Sequence, residues 1–312
     1  MNKHNIPLTR RSMWVRMQEN WQLYVLLLPA IAYLLLFAYG PMFGITIAFK
    51  DFRPHKGIFG SNWVGLKHFE RFLRLNKFRL ALRNTITLSL YSLVAGFPLP
   101  ILLALLLNSS PYLKLKKTVQ TVTYAPHFIS IVVIVGMIRV FFSPTTGLVG
   151  NVLRSLGLLD GSLMVLTDPK AFPHLYVWSG VWQGMGWSSI IYLGALTGVD
   201  PALHESALID GANKLQRIRY IDLPSIAPTI VILLILNSGS IMNVGFEKVF
   251  LLQNSLNISA SETIATYVYK VGIQDAQYSF STAINLLNSV INFTLLVVVN
   301  LISRSLGESS LW

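Results

Sequence analysis

The sequence predicts an all-α integral membrane protein with six transmembrane helices. Three observations carry that prediction. Of 312 residues, 53% are hydrophobic and only 12% charged, where a soluble domain carries about 25% charged residues. Six stretches are apolar over roughly the 20 residues that a helix needs to cross a bilayer. None of them shows the alternation over about 10 residues that a membrane barrel strand requires.

Composition closes off the other classes. Mean hydropathy is +0.55, so a water-soluble globule would leave too much apolar surface in water. Aromatic residues make up 12% of the chain, which excludes a disordered polymer. With no cysteine, disulfides, thiolate metal sites and cysteine nucleophiles are impossible. The net charge of +12 suggests lipid headgroups first in a membrane protein, then an acidic partner or substrate.

The first stretch runs from about Leu23 to Gly44. Its apolar run is long and no small-residue cleavage site follows, so it reads as a span rather than a signal peptide. A loop from about Ile45 to Arg83 follows, and its second half mixes Phe69, Phe72, Leu73 and Phe78 with basic residues. That pattern predicts a short amphipathic helix on the membrane surface. The second stretch is about Thr85 to Leu107 and the third about Tyr124 to Phe142. Arg139, near the outer end of the third, is expected to snorkel. The fourth covers about Leu175 to Thr197, the fifth about Ile226 to Phe246 and the sixth about Ala283 to Ser303. All are apolar on every side, as helices in lipid are.

The segment between the fourth and fifth stretches is polar and rich in ordering signals. Asp200-Pro201 predicts a helix start, the acid as cap and the proline at the first helical position. Ala202 to Ile209 are mostly good helix formers. Gly211 permits a turn, and a basic stretch then leads to Pro224.

This segment resembles the EAA loop of ABC importer permeases, whose pattern is E-A-A, three residues, G, nine residues, I-x-L-P. Here the positions are Glu205-Ser206-Ala207, Gly211 and Ile221-Asp222-Leu223-Pro224, at matching spacings, with Asp210 and Ala212 in the commoner form. The departure is Ser206 for the middle alanine. PMFGITIAFKDF, WVGLKHF, Asn84-Thr85, FPLPILLALLLN and VQTVTYAPHFIS extend the resemblance to the oligosaccharide subgroup, which includes alginate-type importers. The resemblance implies one permease domain over residues 1–312 in a bacterial inner membrane. It also implies a cytoplasmic N-terminal segment at 1–22 and a cytoplasmic coupling loop at 198–225, with Glu205 and Gly211 docking into an ATPase. The partners implied are a second homologous permease, an ATPase dimer carrying ATP and Mg, and an external solute-binding protein. An alginate-like, acidic sugar is one substrate it implies. Nucleic acid is not among the implied partners.

With the N-terminus inside, 11 basic residues fall on the cytoplasmic side and 14 outside, nine of them in the first loop. The positive-inside rule alone would favour the opposite orientation. The EAA resemblance is what fixes N-in.

No phosphate-loop motif or Gly-Lys dipeptide occurs, and the six histidines form no zinc-type pair. The chain therefore reads as a transporter subunit, not an enzyme. Gly184 and Gly186 in the fourth stretch read as helix-packing positions. Candidate sugar-path residues are Trp178, Trp182 and Gln183 in the fourth stretch, Asn237 and Asn243 in the fifth, and Asn285 and Asn288 in the sixth. Each has two readings: polar and aromatic groups lining a path, or side chains bonding helices together at about 0.6 kcal/mol apiece. An ion-coupled secondary transporter is the rival class. It usually needs inverted repeats and buried charged relays, and Arg139 is the clear charge within the predicted spans.

Overall fold

A computed structural model describes residues 18–158, 164–305 and 310–311. Most of the N-terminal segment read at 1–22, with Lys3, Arg10, Arg11 and Arg16, lies outside the described residues. Those described are overwhelmingly helical, and the sheet among them is a ribbon pairing Lys50–Asp51 with Asn62–Trp63.

Helix α1 (Trp21–Phe49) is followed by the ribbon and by α2 (Lys67–Arg74). Helix α3 (Asn76–Ser109) leads to α4 (Leu113–Phe128) and α5 (Ile131–Phe141). Then come α6 (Leu148–Ser155), α7 (Ala171–Leu196), α8 (Pro201–Ile209) and α9 (Lys214–Ser238). The chain ends with α10 (Phe246–Leu252), α11 (Ile264–Tyr269) and α12 (Tyr278–Ser305). Among the described residues, α1, α3, α9 and α12 are long and apolar enough to cross a membrane, and the bent pair α4–α5 makes a fifth if counted as one span. Helix α7 has 26 residues, about 39 Å at 1.5 Å per residue. Its Trp, Gln, Ser and Gly content makes it less apolar than those four.

Two predicted spans are not continuous. The third bends by 99° between α4 and α5. Pro126 has no N–H to offer the helical ladder, Ile129 turns extended, and Ser130 restarts the helix by accepting from the Val133 N–H. The fifth stops as a helix at Ser238, and Gly239 to Gly245 run irregularly into α10. Irregular backbone at membrane depth is tolerated where protein or a water-filled cavity surrounds it.

The first loop packs on protein. Phe72 of α2 is fully buried, with its ring 4.6 Å from Phe78 and 6.3 Å from Phe280. The apolar face predicted to lie on lipid is thus occupied by α3 and α12. Three of the loop's basic residues make internal contacts: Arg71 stacks 4.5 Å over the Phe280 ring, Lys50 donates to the Ile58 carbonyl, and Arg53 pairs with Asp51 at 3.6 Å. Asn84 donates to the Ser259 and Glu262 carbonyls, and the Thr85 hydroxyl accepts from the Ile264 N–H, which pins α3 to the segment before α11. Arg139, the residue expected to snorkel, is exposed, and its guanidinium donates to the Leu251 carbonyl near the end of α10.

Close approach between helices depends on small residues. A Cβ at Gly186 would collide with the Thr123 carbonyl, and one at Gly239 with Leu296. Gly184 has nothing within 4 Å of its Cβ position; it borders a cavity instead of a helix.

Candidate functional site

Two sites emerge, one at each end of α9. The first is the 198–225 loop. Asp200 caps α8, its carboxylate accepting the Ala202 N–H at 2.9 Å, and Pro201 opens the helix. Gly211 follows with φ +79°, a left-handed conformation that costs an L side chain roughly 1–2 kcal/mol. Asn213 and Gln216 form a reciprocal capping box that starts α9. Ile221 lies in a π-helical turn over Ile218–Asp222, after which Leu223 and Pro224 continue α9.

Glu205, Ser206, Asp210 and Gly211 are exposed, and Ala207 is half-buried. Leu203 and Leu208 are exposed too, and Ile209 is 87% exposed. The loop is nevertheless tied down. Buried Asp222 lies 3.3 Å from His204 Nε2, and its carboxylate accepts from Asn108 Nδ2 at the end of α3. Beneath it Ile101, Ala104, Leu105, Tyr192, Leu196 and Ile226 form one buried cluster. Helices α3, α7 and α9 thus share a rigid base under α8.

The second site is a cavity of about 610 Å³ between α3, α7 and the broken end of α9. Gln183, Asn237 and Asn243 line it together with Ser92, Ser188 and Ser240. Its charged lining residue is Lys248. Asn243 Oδ1 accepts from Asn288 Nδ2 at 3.3 Å and from Asn292 Nδ2 at 3.2 Å. Gln183 donates to the Ile129 carbonyl at the α4–α5 bend, and Asn237 donates back to Leu233. Gln183 and Asn243 therefore join elements and border the cavity at once, whereas Asn237 borders it while bonding within its own helix. Asn285 is exposed and outside the lining. Trp178 and Trp182 border a different, mostly apolar cavity of about 560 Å³. Trp178 Nε1 donates to the Tyr91 hydroxyl, which pairs with His174.

Residues 96–308 match the family of binding-protein-dependent transport system inner membrane components. The chain belongs to this permease family. The permease is 41% identical, over 97% of its length and 94% of the relative's, to the polygalacturonan/rhamnogalacturonan transport system permease protein YteP of Bacillus subtilis. Its fold matches a bacterial ABC transporter involved in import of the acidic polysaccharide alginate, with TM-score 0.87 and 41% identity over 94% of this chain and 98% of that one. A bacterial alginate ABC transporter solved with an alginate pentasaccharide-bound periplasmic protein gives 0.88 and 39%, over 96% and 99%. These relatives are transporter proteins and not enzymes.

The permease holds three residues that motif reading passed over. Asp222 occupies the free position of I-x-L-P, yet it is the buried one. His204 precedes the motif glutamate. Lys248 lies two residues past the predicted end of the fifth span and is 6% exposed. A lone lysine opening the apolar run VFLL was its available signal.

Proposed function

We propose that this permease is a subunit of an ATP-driven, binding-protein-dependent importer of acidic oligosaccharides, specifically short uronate oligomers. The observation that carries the reading is the near full-length likeness to a polygalacturonan/rhamnogalacturonan permease and to an alginate importer. Both proteins handle polymers built on carboxylated sugars.

In this reading the chain spans the bacterial inner membrane six times with its N-terminus cytoplasmic, and α7 and the α4–α5 pair count as spans. It pairs with a second homologous permease and receives sugar from an external solute-binding protein. Two ATPase copies hold the ATP and Mg. Helix α8 is the coupling helix: its exposed Leu203, Leu208 and Ile209 fit a groove on the ATPase, with Glu205 free for a basic partner. The rigid tie from α8 through Asp222 to α3 supports transmission of ATPase closure to the helices around the central cavity, which alternates its access. Gln183, Asn237 and Asn243 belong to the sugar path, with Asn288 bracing Asn243. Trp178, Trp182 and Asn285 contribute outside that cavity.

The test is uptake of radiolabelled trigalacturonate by proteoliposomes holding the assembled importer and its binding protein. Uptake is expected to require ATP and to survive a proton ionophore. Uptake without ATP that an ionophore abolishes would place the chain among ion-coupled carriers, and uptake of maltotriose alone would remove the acidic substrate.

A further inference from the structure

We infer that Lys248 is the carboxylate-recognising group of the central cavity, and that a uronate carboxylate of the passing oligosaccharide binds its ammonium there. The inference rests on the reading of the permease as an acidic-sugar importer and adds the site at which acidity is sensed.

Lys248 is 6% exposed, and its Nζ donates to the Tyr176 carbonyl of α7 at 3.0 Å. The ammonium lies 5.1 Å over the Tyr176 ring, a cation–π arrangement that holds it in place. An ammonium has three donors, so this carbonyl leaves two. Among the described residues no carboxylate forms an ion pair with Lys248, and no Asp or Glu lines the cavity. The cation is therefore desolvated and uncompensated in charge, which is costly unless an anion joins it.

The surroundings keep space open for that anion. Gly180 faces Nζ, and a Cβ there would lie 3.4 Å from it, so a longer side chain at this position would crowd the ammonium. Gln183, Asn237 and Asn243 supply neutral hydrogen-bonding groups in the same cavity, as hydroxyls of a sugar require. A single ammonium is a point charge on a flexible stem and lacks the two-pronged grip of a guanidinium. It can attract a carboxylate and release it, as a transport site must. The bent backbone from Gly239 to Gly245 places Lys248 at the break in α9, where a shift in that helix would move it relative to Tyr176.

The test is equilibrium dialysis of trigalacturonate, and of its fully methyl-esterified form, against the assembled importer in nanodiscs without its binding protein. The wild type is expected to bind the acid at least tenfold more tightly than the ester. Lys248→Met should weaken the acid at least tenfold and change the ester less than twofold, whereas Lys248→Arg should keep most of the preference. Lys248→Cys supplies an independent arm, because the chain has no native cysteine. With partner subunits also made cysteine-free, aminoethyl methanethiosulfonate restores a cation, while the propyl reagent restores equal bulk without charge. Recovery of acid binding with the aminoethyl reagent alone is expected. Equal loss of both ligands in Lys248→Met, recovery with the propyl reagent, or a wild type that does not distinguish acid from ester would overturn the inference. Those results would leave ATP-dependent trigalacturonate uptake by the wild type, and so the functional reading, standing.

Discussion

His204 Nε2 lies 3.3 Å from the Asp222 carboxylate, which is buried and also held by Asn108. One side chain thus joins α8, the base of α9 and the end of α3. Asp222→Ala removes the shared acceptor and leaves two polar partners unmatched, at about 1–3 kcal/mol. Amide hydrogens of residues 202–209 should then exchange roughly 5- to 150-fold faster, while those in the middle of α12 stay slow. Unchanged exchange in α8 would mean that Asp222 does not anchor it.

Gly211 has φ +79° with nothing within 4 Å of its Cβ position, so a substitution there meets backbone strain and not a clash. Gly211→Ala is expected to reduce sugar-stimulated ATPase activity severalfold. Gly211→Asn should reduce it less, because asparagine tolerates the left-handed region better. Equal losses in both variants would point away from backbone conformation.

Neighbouring glycines of α7 should behave differently. Gly186 packs against the Thr123 backbone, whereas Gly184 is open. Gly186→Ala should lower the thermal midpoint of the purified importer by an amount worth about 1–3 kcal/mol, the usual cost of overpacking. Gly184→Ala should leave the midpoint nearly unchanged. A matching drop in both would contradict this packing of α7 on α4.

Orientation is open to direct labelling. Gly60 and Lys214 are both exposed, and the chain has no native cysteine. Gly60→Cys should react with an impermeant thiol reagent in intact spheroplasts, and Lys214→Cys should react only after permeabilisation. The reverse pattern would turn the permease over in the membrane.

What the sequence made readable was local. Asp200-Pro201 announced the start of α8 because a cap and a fixed φ act within one turn. Gly211 stands at a real left-handed turn for the same reason. The long apolar runs located most spans, but apolarity does not record direction. The bend at Ile129–Ser130 is signalled only by Pro126 and a capping serine, and the break after Ser238 only by flanking glycines. The amphipathic pattern of α2 was visible, yet whether its apolar face meets lipid or protein depends on Phe280, more than 200 residues away in sequence. Lys248 and Tyr176 meet for the same non-local reason, so neither stood out beside the asparagines and tryptophans of the predicted spans.

In the proposed mechanism a separate ATPase drives this permease through the 198–225 loop. The most direct measurement follows sugar-stimulated ATP hydrolysis and trigalacturonate uptake in the same proteoliposomes, with wild-type, Glu205→Lys and Gly211→Asp chains. Both variants should reach the membrane and assemble in normal amount, with stimulated hydrolysis and uptake each reduced about tenfold or more. Normal sugar-stimulated uptake in both variants would contradict the claim.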